Sequence, residues 1–198
     1  MKTKNLIIIY NINYNITLWG LEKLHPFEGR KFEKVWNGIK DLKLESFTDF
    51  DEISIEDLLT VHSKRYIERL KSPNYVFNSL EIPIPSIIFS ILRFVNLSSI
   101  VDSSILKPMR FACEGTKIGA YKAIEQNKIV FNIGGGFHHA SREKAHGFCF
   151  YADVAIAIEC LRRDKVLQES DKVLIIDLDA HQSDGNERIF KLPSGSFS

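Results

Sequence analysis

The feature that most constrains this 198-residue chain is an aliphatic run that passes directly into alternating acidic and imidazole side chains. The run 173–176 is typical of a strand that is buried on both faces of a parallel sheet. Asp177, Asp179 and His181 then follow at every second position. Because strand side chains two residues apart point to the same face, we expect these three groups to leave the carboxyl edge of a sheet together. Carboxylate and imidazole groups are common Zn²⁺ ligands, so the pattern predicts part of a zinc site.

A second predicted strand, residues 129–133, leads into the glycine run 134–136 and then into His138 and His139. The glycines lack the G-x-G-x-x-G spacing of dinucleotide sites, and no Lys-Ser/Thr pair follows them as in nucleoside-triphosphate loops. We predict that strands 129–133 and 173–178 are neighbours, which would bring the paired histidines to the Asp-x-Asp-x-His motif. Such an arrangement indicates acid–base chemistry beside a metal.

The chemistry gives a reason for the carboxylates around this pair. A metal lowers the pKa of its bound water to about 7, and a neutral imidazole can accept that proton. A carboxylate on the other ring nitrogen fixes the tautomer and raises the basicity of the imidazole. Asp177 and Asp184 are the candidates for this orienting role.

The remaining chemistry-bearing side chains are predicted to have structural roles. His146 lies in a charged loop and is expected to be exposed, whereas Cys149 lies among aromatic residues and is expected to be a packed, inert thiol. His25 and His62 each follow an apolar residue, which favours packing or hydrogen bonding.

The pattern along the chain predicts one α/β domain over residues 1–198 with a parallel sheet and right-handed crossovers. Helices are predicted over residues 31–42, 112–126 and 152–161, with Ser54 and Ser63 as N-caps of two more and residues 6–10 as the first strand. Residues 73–110 carry no readable period.

Composition narrows the classes of function. The chain has 26 Lys plus Arg against 25 Asp plus Glu, so bulk charge gives no reason to expect nucleic-acid or membrane binding. The three widely spaced cysteines do not form a disulfide framework, and no apolar run is long enough for a membrane span. We therefore expect an intracellular protein in a reducing compartment.

Two segments, FNIGGGFHHASREKAHGFCFYADVAIAI and VLIIDLDAHQSDGNERIF, closely resemble the zinc-dependent histone deacetylases of the arginase/deacetylase fold. Two earlier ones, YNITLWGLEKLHPFEGRKFEKV and SIEDLLTVHSKRYIERLK, look most like the class IV branch. The resemblance implies a three-layer α/β/α domain with a mainly parallel sheet. The chain ends shortly after the second motif, so we expect a partial domain, truncated at its C-terminus.

The resemblance also implies a role for each polar residue of the motifs. His138 and His139 would be the catalytic pair, with His139 as general base and His138 assisting electrostatically or as acid. Asp177 would orient His138, and Asp184 would occupy the position where the family has an Asp or Asn behind His139.

Metal and substrate residues are implied in the same way. Asp179 and His181 would be zinc ligands, and Gly147 and Phe148 match the wall of the acyl-lysine tunnel. The main-chain carbonyls of Asp177, Asp179 and His181 would help to hold a structural monovalent cation, usually K⁺. The implied reaction removes acetyl or longer acyl groups from lysine in histone or non-histone proteins, in the nucleus or the cytoplasm.

Two departures from the family pattern keep other interpretations open. Ser183 replaces a usual glycine, which would strain the turn if that position needs a positive φ. A third zinc ligand (an Asp) and a carbonyl-polarising Tyr have no candidates in the chain. A catalytically silent fragment that acts as a binding or regulatory module is therefore the main alternative. A di-metal ureohydrolase is a weaker one, because Asp184 comes one residue too late for D-A-H-x-D.

Overall fold

A computed structural model of the chain describes residues 5–17, 28–80 and 96–191. The strands in these residues are β1 (Leu6–Ile9), β2 (Glu45–Phe47) and β3 (Ile129–Asn132). They form a parallel sheet in the order β2-β1-β3, in which Ile7 is paired with Glu45 on one side and with Val130 on the other. The last three residues of the central strand β1 are buried, as expected for an aliphatic strand that is covered on both faces. The predicted α/β class with a parallel sheet is confirmed.

The helices account for most of the remaining regular structure. They are α1 (Lys31–Ile39), α2 (Ile55–Leu58), α3 (Lys64–Arg69), α4 (Pro73–Ser79), α5 (Leu97–Val101), α6 (Lys107–Gln126), α7 (Asp153–Arg163) and α8 (Asp184–Phe190). A π-helical turn, Asp102–Leu106, joins α5 to α6, and 3-10 turns lie at Ile12–Tyr14 and Lys40–Leu42. The three predicted helices are confirmed, although the middle one begins earlier than predicted. Among the described helices, none combines the length and the apolar character that a membrane crossing requires.

The two predicted serine N-caps are present. The Ser54 hydroxyl accepts a hydrogen bond from the Asp57 N–H at 3.0 Å, and the Ser63 hydroxyl accepts one from the Tyr66 N–H at 3.1 Å. Each bond satisfies an N–H group that the first turn of a helix leaves without an intrahelical partner. The local sequence therefore determines where each of these two short helices begins.

Helices cover both faces of the sheet. On one face Gly119 of α6 lies against Val130 and Ile9, so closely that an added Cβ would be 3.3 Å from the Val130 side chain. On the other face Ile8 belongs to a core cluster that includes Phe32 and Trp36 of α1. Because adjacent strand residues point to opposite faces, the order is helix, sheet, helix.

The aliphatic run near the C-terminal end is not a strand, which corrects the sequence-based prediction. Residues 173–178 do not pair with β3 or with another described strand. Leu174 is 82% exposed and Leu178 is 91% exposed. The physical reason is that a strand needs a neighbouring strand to satisfy its backbone groups, and no described strand lies beside this run.

This exposed run predicts self-association. Together with Ile129 and Phe131 on the edge strand β3, it exposes apolar side chains to solvent, and such a surface favours association between copies of the chain. We expect the double substitution Leu174→Lys and Ile176→Lys to shift the chain towards monomer in sedimentation velocity. Leu42→Lys, at an exposed leucine elsewhere, is the matched control. Equal effects of both variants would contradict the assignment.

His62 is a buried histidine with both ring nitrogens hydrogen-bonded. Its Nε2 accepts from the Ala152 N–H at 3.0 Å, so the neutral ring carries its proton on Nδ1, which lies 3.3 Å from the Arg142 carbonyl. Its ring also stacks on Tyr66. The predicted structural role is confirmed for His62, whereas His25 lies outside the described residues.

The burial of His62 predicts how stability depends on pH. Burial lowers the pKa of His62 from 6.5 to about 4, so the folded state favours the neutral ring. This stabilisation is fully present above pH 6.5. It is lost as the pH falls towards 4, because the unfolded chain then binds a proton that the folded chain does not. We expect the loss to be about 3 kcal/mol, since each tenfold change in proton affinity corresponds to about 1.4 kcal/mol. Urea unfolding between pH 7 and pH 4 measures it, and His62→Gln should flatten this part of the profile.

Candidate active site

The paired histidines sit on a turn that follows β3 and the glycine run. Gly135 and Gly136 have φ values of +87° and +78°, which side chains rarely adopt, and this explains the glycines at the exit of the strand. The His138 N–H donates to the Gly136 carbonyl at 2.9 Å, and the rings of His138 and His139 lie 4.2 Å apart. Local backbone geometry thus places both imidazoles side by side.

Each imidazole is bound to a different carboxylate through Nδ1. His138 Nδ1 lies 2.7 Å from an oxygen of Asp177, and His139 Nδ1 lies 2.7 Å from an oxygen of Asp184. An ionised carboxylate can only accept a hydrogen bond, so both rings carry a proton on Nδ1. In the neutral rings Nε2 is then the acceptor that remains for chemistry.

The pKa values of both carboxylates agree with this assignment. The N–H of Asp179 and then the imidazole of His138 lower the pKa of Asp177 to about 2. Burial acts to raise the pKa of Asp184, but the hydrogen bond from His139 and the charge of Arg188 outweigh it and lower the pKa overall. Both groups are therefore ionised at neutral pH.

Helix α8 fixes the second carboxylate in place. Asp184 is its first residue, and the Gly185 and Asn186 N–H groups lie 3.0 and 3.3 Å from the His138 carbonyl, to which they donate. A Cβ at Gly185 would collide with the backbone of residues 138–140, so this close approach requires glycine. Ser183 has φ −74°, which is unstrained, so the strain considered for that position does not occur.

Asp179 and His181 lie at the open side of the same cleft. The Asp179 carboxylate accepts from the His181 N–H at 2.8 Å, just as Asp177 accepts from the Asp179 N–H at 3.0 Å. These side chain-to-backbone bonds replace the predicted strand geometry with consecutive Asx turns. The His181 ring lies 5.9 Å from that of His139, and Asp179 is 4.0 Å from His138 Nε2. The structure thus brings Asp177, Asp179, His138, His139 and His181 together in one cleft.

The candidate donor set matches a zinc site only in part. Asp179 and His181 are of the right chemical type, and His181 Nδ1 lies 2.9 Å from an Asp179 oxygen. A catalytic zinc site usually has three protein ligands, and no cluster of three metal-binding side chains exists among the described residues. The residues present fit part of a zinc shell.

A tight hairpin turn forms one side of the cleft. Gly147 and Phe148 have φ values of +52° and +62°, and His146 and Cys149 exchange backbone hydrogen bonds of 3.2 and 2.9 Å. Positive φ is a genuine outlier for a bulky residue such as phenylalanine, and such strain is concentrated at functional sites. A Cβ at position 147 would overlap the ring of His139. The turn therefore packs directly against the second histidine.

Two neighbouring side chains agree with their predicted roles. His146 is exposed, as predicted, and its ring contacts that of His139 edge-to-face at 5.6 Å. Cys149 is buried, and burial raises the pKa of its thiol to about 12, so the thiol stays protonated and inert at neutral pH.

Sequence reasoning missed one residue that contacts the histidine turn. Asp153 is 1% exposed and accepts hydrogen bonds from the loop before His138. A signal was present, because Asp153 is an acidic residue at the start of an almost wholly apolar helix, and buried charges are rare unless they are partnered.

Comparison with known proteins gives a consistent result. The histone deacetylase domain matches residues 25–196. "Histone deacetylase 2" of Arabidopsis thaliana is 36% identical over 183 residues, which is 91% of this chain and 44% of that protein. "Acetoin utilization protein AcuC" of Bacillus subtilis is 26% identical over 94% of this chain and 46% of that protein. "Histone deacetylase 2" of Oryza sativa subsp. japonica is 30% identical over 68% of this chain and 25% of that protein. The chain spans less than half the length of each of these relatives.

Proposed function

This chain belongs to the histone deacetylase family, and we propose that it contributes to the zinc-dependent hydrolysis of acyl groups from lysine side chains of proteins. The observation that carries the proposal is the pair of adjacent imidazoles, each bound through Nδ1 to its own carboxylate. This arrangement supplies two proton acceptors of fixed tautomer within a single cleft.

The two histidines would divide the proton transfers. In our proposal His139 Nε2 accepts the proton of the attacking water, and Asp184 stabilises the resulting imidazolium through Nδ1. His138 assists electrostatically or donates a proton to the leaving amine, while Asp177 holds its ring. These roles need ionised carboxylates beside the two imidazoles, and the lowered pKa values of Asp177 and Asp184 support that state.

Asp179 and His181 would hold the metal. Zinc, when bound, supplies a Lewis acid that makes a bound water more acidic. The support is the chemistry of the two donors and their position beside the histidine pair. A structural monovalent cation, usually K⁺, held by the carbonyls of Asp177, Asp179 and His181 stays a prediction.

The substrate would approach along the hairpin turn. Gly147 and Phe148 are proposed to form a wall for the acyl-lysine chain, and the contact of Gly147 with the His139 ring supports this. The proposed substrate is an acyl-lysine in a histone or non-histone protein, with an acetyl or a longer acyl group. The class IV likeness and a nuclear or cytoplasmic location belong to the same proposal.

A silent binding module is the second candidate function. The exposure of the donor pair favours it, since His181 has a side chain 77% exposed and the described residues provide no third ligand. The ureohydrolase alternative is disfavoured because Asp184 is bound to His139.

The experiment is a deacylation assay of the purified chain with excess zinc, using acetyl- and myristoyl-lysine peptides. Chelator-sensitive release of acid supports the proposed hydrolysis. Saturable peptide binding without turnover would instead support the binding module. If the chain shows neither turnover nor saturable peptide binding, both candidate functions are overturned.

A further inference from the structure

We propose that Asp153 is a positioning residue, whose buried carboxylate holds the glycine loop in the shape that presents His138 and His139. The inference rests on the proposed function only in naming what the histidines do. The contacts that carry it lie at the base of the loop, on the first residue of α7.

The carboxylate is occupied by the loop itself. One oxygen accepts the Gly136 N–H at 2.8 Å, and the other accepts the Phe137 N–H at 2.8 Å. The first oxygen also accepts the Thr116 hydroxyl of α6 at 2.7 Å. One side chain therefore ties the loop to two helices, α6 and α7.

The two residues whose N–H groups bind Asp153 also frame the histidine turn through their carbonyl groups. The Gly136 carbonyl accepts the His138 N–H at 2.9 Å, and the Phe137 carbonyl accepts the Ala140 N–H at 3.2 Å. The Phe137 N–H and the Gly136 carbonyl belong to the same peptide, so a tilt of that peptide would rotate the backbone that carries both imidazoles. Because the distal end of the turn is bonded to α8, such a rotation would also disturb the distance from His139 to Asp184.

The loop is shaped around this carboxylate. A Cβ at Gly135 would lie 2.5 Å from the Asp153 oxygen and 2.5 Å from the Thr116 hydroxyl, so the chain can wrap the group only with glycine there. Asn132, at the end of β3, donates to the Thr116 hydroxyl at 3.0 Å and accepts from the Tyr14 hydroxyl at 2.9 Å. The strand end, the loop and both helices thus share one buried network.

Asp153→Asn is the informative substitution. The amide keeps the size of the side chain but replaces one accepting oxygen by an NH₂ group, which must face an N–H or O–H donor. At least one loop contact is then lost. The control is Asp164→Asn, at the exposed C-terminal end of the same helix.

The readout is the ring ¹⁵N NMR signals of the histidines in the full 198-residue chain without added metal. We expect Asp153→Asn to shift or broaden the signals of His138 and His139, while those of buried His62 stay in place. If the chain turns over substrate, kcat should fall by about 10²-fold with KM unchanged, as for a small misplacement of reacting groups. Asp164→Asn should change neither.

Unmoved His138 and His139 signals in a folded Asp153→Asn variant would overturn the inference. If the His62 signals move as well, the change has reached the adjacent hydrogen bond from the Ala152 N–H to His62, and Thr116→Val becomes the test because it removes one donor and keeps the carboxylate. That variant should shift only the paired histidines, and no shift would again overturn the inference. Since the signals need neither zinc nor turnover, a failed deacylation assay leaves this test intact.

Discussion

Replacing His139 with alanine is expected to lower the hydrolysis of an acyl-lysine peptide by about 10²–10⁴-fold, the usual effect of removing a general base. The reason is the position of Nε2, which is the accepting nitrogen of a ring whose Nδ1 is bound to Asp184 at 2.7 Å. Without the imidazole, the proton of the attacking water has no acceptor at this position. The measurement is kcat and KM with zinc in excess, and the loss should appear in kcat.

His146→Ala is the matched control for this substitution. Its ring contacts the ring of His139, but it lies in the adjacent turn and outside the proposed catalytic pair. Removing it deletes an imidazole of the same size from the same cleft. We expect less than about a tenfold change, because no group of the proposed catalytic pair is lost. Comparable losses in both variants would show that the cleft, rather than the general base, had been disturbed.

The histidine pair could be predicted because its geometry is local. A strand, a glycine run and two histidines follow each other within eleven residues, 129–139, and each step has a backbone reason. The bond between His139 and Asp184, by contrast, spans 45 positions of the chain. The sequence pattern alone made Asp184 a candidate, whereas its hydrogen-bond partner was implied by the family resemblance.

The aliphatic run 173–178 shows where the pattern was insufficient. Its composition is typical of a buried strand, but burial depends on neighbouring elements that composition does not describe. The Asp177 carboxylate is nevertheless hydrogen-bonded to His138. The histidine turn and the Asx turns that follow the run lie together although the run pairs with no described strand. The location of the site was therefore predictable, whereas the predicted strand 173–178 does not form.

Asp153 illustrates a different limit. A buried carboxylate at the start of a helix is visible in the sequence as a charge in an apolar segment, but its partners are main-chain N–H groups on another element. Backbone donors leave no residue-type signature. Only the three-dimensional structure shows that the carboxylate is bound to the loop that carries the histidines.

The second large effect concerns zinc. We expect the 198-residue chain to hold zinc weakly, so that dialysis removes most of it, because the described residues provide Asp179 and His181 as candidate donors where a catalytic site usually has three. His138 and His139 are poor substitutes, since their Nδ1 atoms are bound to carboxylates and their Nε2 atoms would be needed for the proposed proton transfer. Zinc content after dialysis, and the affinity from competition with a chelating dye, measure this directly.

Substitutions then separate ligands from acid–base groups. His181→Ala and Asp179→Ala should each abolish the remaining zinc binding, because a single donor cannot hold the ion against water. His139→Ala should leave zinc binding unchanged while it removes turnover. Equal metal loss in all three variants would contradict the division of roles. One tightly held zinc per chain that survives dialysis, with chelator-sensitive turnover, would show that a third ligand completes the shell, and the expectation of weak binding would be wrong.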